Sequence, residues 1–109
     1  MFPAHPIALF FGGAFLINTV PHLVSGVLGQ PFQSPFAKPP GEGLSSATVN
    51  VLWGFFNAVV AYFLVAHVGV FHPRALTHIA AFGLGALLIS IMHAHHFGQF
   101  HGGNLADHA

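Results

Sequence analysis

The sequence predicts an all-α integral membrane protein with three transmembrane helices. Three observations carry this. Hydrophobic residues make up 54% of the 109 residues, charged residues only 4%, and three apolar runs are each long enough to cross a bilayer. A soluble fold wets its surface with about 25% charged residues. With two acids, Glu42 and Asp107, and two bases, Lys38 and Arg74, this chain cannot cover a water-facing exterior. Its partner over most of its surface is the lipid bilayer.

Each span needs about 20 consecutive apolar residues in a helix. The first is expected over 6–29, the second over 47–71 and the third over 75–97, in a single domain covering 1–109. None of the three contains Asp, Glu, Lys or Arg. Pro6 suits a first helical turn, whereas Pro21 lies inside the first span and should bend it. Pro73 and Arg74 break the chain between the second and third spans. The opening "MFPAHPIALFFGG" lacks the basic residues that begin a secretory signal, so the first run is expected to be retained.

The connection over 30–46 is of another kind. "QPFQSPFAKPPGEGLSSA" is rich in Pro and Gly, which excludes a long regular element. Phe32, Phe36 and Leu44 are nevertheless too apolar for a plain linker. An ordered loop is expected, folded back on the helices or the headgroups, with Ser45 or Ser46 capping the second helix. A histidine-rich tail is expected over 98–109. Lys38 and Arg74 sit on opposite sides of a three-span topology. The slight preference is for the N-terminus inside and the C-terminus outside.

The polar residues fall at definite depths. At about 1.5 Å per residue, His22 lies roughly 24 Å and His93 roughly 26 Å from the start of their spans. Spans one and three travel in the same direction, so both reach the face that carries the first loop. Span two starts at that face, which places Asn50 within a turn of it. His96, one turn beyond His93, shares its side if the helix continues past Met92, whereas the His95 side chain points away. His5, His67, His72 and His78 gather at the opposite face. Asn18 and Asn57 lie between, near mid-membrane, where an unpaired polar group is costly. An Asn18–Asn57 hydrogen bond would satisfy both.

Helical stripes agree with that inward orientation. They are Asn18, Thr19, His22, Ser25 and Gly26 on span one, and Asn50, Gly54, Asn57, Ala58 and Ala61 on span two. Span three offers Ala81 and Gly85. Small residues let membrane helices approach closely, leaving the thirteen phenylalanines to face lipid or partner subunits.

Imidazole must carry any metal chemistry, because cysteine is absent and carboxylate is scarce. His22, His93 and His96 are the candidate metal ligands, with Asn18, Asn50, Asn57 and Ser90 as supporting or helix-packing residues. Iron, copper or zinc suits such donors, whereas calcium and magnesium prefer oxygen. A haem held by His22 and His93 is the other cofactor these donors suggest. The "HAHH" cluster is similar to a fragment of the histidine boxes of membrane di-iron oxygenases. The several boxes that family uses are missing, so no roles follow from it.

Metal or haem binding, with electron transfer or oxidative chemistry, is one expectation. A proton- or solute-conducting oligomer and an accessory subunit of a larger membrane complex are the others. No basic run exists to bind nucleic acid. No serine has a carboxylate-oriented base beside it, which disfavours triad hydrolysis.

Overall fold

The computed structural model describes residues 3–104. Its elements run α1 (Ala4–Val27), β1 (Phe32–Gln33), β2 (Leu44–Ser45), α2 (Ala47–Ala66) and α3 (Leu76–His101). All three helices are long and apolar enough to cross a membrane. The fold is all-helical apart from the two short strands.

Helix boundaries differ from the sequence expectation by more than two residues in two places. Span two was expected to run to Phe71, but α2 ends at Ala66 and His67 caps it. Residues 68–71 are apolar enough to continue a helix, yet the chain turns there to pack against α1. A Cβ on Gly69 would lie 2.8 Å from the His5 ring, so this close approach requires glycine. Span three was expected to stop at Phe97, but α3 continues to His101 and closes on Gly102 at φ 79°. That αL glycine is a common helix stop. Part of the anticipated histidine-rich tail is therefore helical; Asp107 and His108 lie outside the described residues.

The helices form a layer with α1 in the middle. α2 and α3 pack on opposite sides of α1 and have little contact with each other. Glycines on both sides of α1 explain this. Gly12 and Gly26 face α2, where added Cβ atoms would meet side-chain atoms of Val65 and Val51 at 2.6 Å, and Gly54 of α2 lies against Leu23. Gly13 faces the other way, against the Phe82 carbonyl, and Gly85 of α3 lies against the Phe10 carbonyl. Adjacent glycines thus serve different partners. At Gly13, Gly54 and Gly85 the contacts bring backbone against backbone, as small residues in membrane helices permit.

Between α1 and α2 the chain returns across the helix ends. β1 pairs antiparallel with β2, Phe32 opposite Ser45 and Gln33 opposite Leu44. Inside the turn the Gly41 N–H donates to Ser34 O at 2.8 Å and the Gly43 N–H to Pro39 O at 2.9 Å. Phe32, Gln33 and Ser34 are buried. The Ser46 side chain accepts from the Val49 N–H at 3.2 Å and caps α2, while Ser45 Oγ meets Ser34 Oγ.

Candidate functional site

The loop-bearing ends of the helices enclose a cleft of about 200 Å³ lined by His22, His93, His96, Asn18, Ser34 and Trp53, among others. The three candidate imidazoles thus line one space although they lie on two helices. Phe97 stands among them, with ring centroids 6.3 Å from His22, 5.0 Å from His93 and 5.1 Å from His96. Phe32 packs beside His22 and Phe97, with ring centroids 5.6 Å and 4.7 Å away.

Hydrogen bonds fix the proton on each ring. Asn50 is fully buried, and its Nδ2 faces three backbone carbonyls, Phe32 O and Ser45 O at 3.2 Å and Ser46 O at 3.1 Å. Carbonyls only accept, so the amide nitrogen must point to them and the amide oxygen to His22. The His22 Nδ1–H therefore donates to Asn50 Oδ1 at 2.7 Å, and the lone pair of His22 sits on Nε2.

A second chain of bonds orients His93. Asn57 Nδ2 donates to Trp53 O at 2.7 Å, so Asn57 presents its oxygen to α1. Asn18 Nδ2 donates to that oxygen at 2.8 Å, which turns the Asn18 oxygen toward α3. There the His93 Nε2–H donates to Asn18 Oδ1 at 2.7 Å, leaving the lone pair on Nδ1. His96 is fixed by the loop, its Nε2–H donating to the Gly41 carbonyl at 2.7 Å. Its lone pair is also on Nδ1.

Each ring thus gives a proton to an oxygen anchor and keeps one nitrogen as a lone-pair donor. His22 is only 3% exposed. The buried indole nitrogen of Trp53, on the same cleft, has no partner among the described residues. A trapped water or a small polar ligand would satisfy it. Among the described residues, however, no three His, Asp or Glu side chains are arranged to hold a metal ion.

The other expected residues divide. Asn18, Asn50 and Asn57 are all part of these hydrogen-bond chains. Ser90 is not: its hydroxyl donates to Ala86 O at 2.6 Å, one turn back in its own helix. His95 is exposed. His101 reaches across to Gln33 Oε1 at 2.8 Å and stacks on Phe32 at 5.0 Å. The sequence names Phe32 in a loop folded back on the helices, but not Gly41 O, Ser34 and Gln33 as parts of the cleft, nor Trp53 as a wall.

At the opposite end of the helices, His5 and His78 rings meet at 4.7 Å and His72 and His78 at 5.7 Å. The His72 backbone N–H donates to His78 Nδ1 at 3.0 Å. His67 is apart from them, bonded to the Tyr62 hydroxyl at 3.2 Å.

Comparison with known proteins finds no matching family model, no matching curated protein and no matching solved structure.

Proposed function

We propose that this chain is an integral membrane protein whose loop-covered cleft binds one transition-metal ion through His22 Nε2, His93 Nδ1 and His96 Nδ1. The observation behind this reading is the pattern of N–H anchors. Metal-binding histidines characteristically donate the second ring N–H to an oxygen acceptor, which fixes the tautomer and raises the basicity of the ligating nitrogen. Here Asn50 Oδ1, Asn18 Oδ1 and Gly41 O are such acceptors, each at 2.7 Å. The three lone pairs are not gathered around one point in this structure. Binding therefore requires the rings to turn on their anchors.

Cleft size favours an ion over a haem. Pockets for drug-sized ligands span about 300–1,000 Å³, and the cleft has about 200 Å³. A haem between His22 and His93 would have to displace Phe97, which lies against both rings. All three ligands are neutral imidazoles, which suits copper, zinc or iron. Such an ion would supply one-electron transfer or activation of a bound water. Asn57 acts at one remove, by orienting Asn18. The Pro/Gly-rich loop serves as an ordered lid that contributes Gly41 O and Phe32.

The surroundings of the site belong to the same proposal. Residues 1–109 form one domain in the bilayer, with the N-terminus inside and the C-terminus outside. The outer face of α2 exposes Leu52, Phe55 and Phe56 at 65%, 62% and 55%. That face suits lipid, a second copy, or a larger membrane complex in which this chain is an accessory subunit.

The test is titration of chelator-treated protein with Cu²⁺ and Zn²⁺, followed by metal analysis after desalting. Trp53, the single tryptophan, has its ring 6.3 Å from His22 and reports occupancy by fluorescence. The expected result is one ion per chain, lost in the His22→Ala/His93→Ala double variant. Sub-stoichiometric binding, or binding unchanged in that variant, overturns the reading.

A further inference from the structure

A second recess lies beside the cleft, in the groove between α1 and α3. It is an open groove of about 480 Å³ between Ile17, Val20 and Pro21 of α1 and Ser90, His93 and Ala94 of α3. The walls are apolar, but the polar groups among them share a property: they can accept hydrogen bonds.

Pro21 has no N–H, so the Ile17 carbonyl one turn earlier lacks its helical donor. Both residues are on the groove's side of α1. The His93 ring donates its Nε2–H to Asn18, which leaves Nδ1 as an acceptor. Ser90 gives its hydroxyl proton to Ala86 O, and its oxygen retains only lone pairs. A saturated hydrocarbon chain satisfies none of these acceptors.

We infer that this groove is a binding site for a lipid-soluble molecule bearing a hydroxyl donor on an apolar ring, such as a phenol or quinol. The volume is in the range of pockets for small organic ligands. The groove has apolar walls for the ring and acceptors for the hydroxyl. Pro21, whose place in a membrane span is otherwise only a defect in the helix, has a role here in leaving the Ile17 carbonyl without its helical donor. The inference concerns the metal-free chain, in which His93 keeps its tautomer through Asn18; an ion bound at His93 Nδ1 would take the same lone pair and compete with the hydroxyl.

The test uses chelator-treated full-length protein in phosphatidylcholine nanodiscs, with empty nanodiscs as the partition blank. The probes are para-octylphenol and its methyl ether, which has nearly the same shape but no donor. The phenol should show one saturable site above the blank. The ether should bind about tenfold more weakly, as expected for loss of one good hydrogen bond. Pro21→Ala restores the helical donor to Ile17 O and should weaken the phenol several-fold while leaving the ether unchanged. Ala94→Trp fills the groove and should remove saturable binding, whereas Leu84→Trp, on the exposed side of α3, should not. Equal binding of phenol and ether by the unaltered protein, or no saturable site above the blank, overturns the inference.

Discussion

Replacing Asn50 examines the hydrogen-bond logic at its most connected residue. Asn50→Leu keeps the approximate shape and removes every polar contact. His22 then has a buried Nδ1–H with no acceptor, a loss of about 1–3 kcal/mol. The Asn50 amide has two hydrogens for three carbonyls, so those bonds are shared rather than independent. Ser46 O also accepts the Asn50 backbone N–H at 3.0 Å and remains satisfied in the variant. The loop side therefore adds only about 0.5–1.5 kcal/mol. The expected destabilisation is about 2–4 kcal/mol, read by denaturant unfolding in mixed micelles with circular dichroism and Trp53 fluorescence. Asn50→Asp distinguishes the amide's orientation from simple packing. Aspartate still accepts from His22, but it turns a second oxygen toward Phe32 O, Ser45 O and Ser46 O. At neutral pH it should cost at least as much as leucine. An aspartate variant as stable as the unaltered protein would refute the amide assignment, and the His22 tautomer with it.

Other outcomes follow from the same geometry. Asn18→Ala removes the acceptor that orients His93 and should weaken metal binding about 10–100-fold; Asn57→Leu, one step further away, should weaken it less, with both read by competition against a chromogenic chelator. Gly85→Val drives a side chain into the Phe10 carbonyl and should cost about 1–3 kcal/mol through overpacking. Gly83→Ala has no atom within 4 Å of its new Cβ and should gain up to about 1 kcal/mol of helix propensity in the same unfolding assay. At the far end, His78 Nδ1 accepts from the His72 N–H only while its ring is neutral. That bond should be lost once acid protonates the ring. His5 from α1 and His72 from the loop face the same ring. Hydrogen exchange at the His72 amide, corrected for intrinsic pH dependence, should accelerate in acid; unchanged protection would count against the latch.

The parts of this structure legible in the sequence are those set by depth. Rise per residue alone puts His22, Asn50, His93 and His96 at one level, and Asn18 and Asn57 at another. The cost of an unpaired amide in hydrocarbon then pairs the last two. Depth says nothing of which helix lies in the middle. That depends on Gly12 and Gly13 facing opposite partners, a division no spacing rule distinguishes from ordinary small-residue packing. The end of α2 was misjudged because "VGVF" is as apolar as the helix before it, and the contact of Gly69 with His5 is tertiary. Ser90, expected as a supporting or helix-packing residue, bonds within its own helix, since a serine hydroxyl can do so and needs no imidazole. The Gly41 anchor was unreadable for a related reason: any backbone carbonyl can accept, and only the fold of the loop selects that one.

Metal binding by His22, His93 and His96 depends on where three protons sit. Solid-state ¹⁵N spectra of the metal-free protein in bilayers, with histidine labelled and each of the three assigned by substitution, read this directly. The predicted result is Nδ1–H on His22 and Nε2–H on His93 and His96. Protons on the opposite nitrogens, or rings averaging between tautomers, would contradict it.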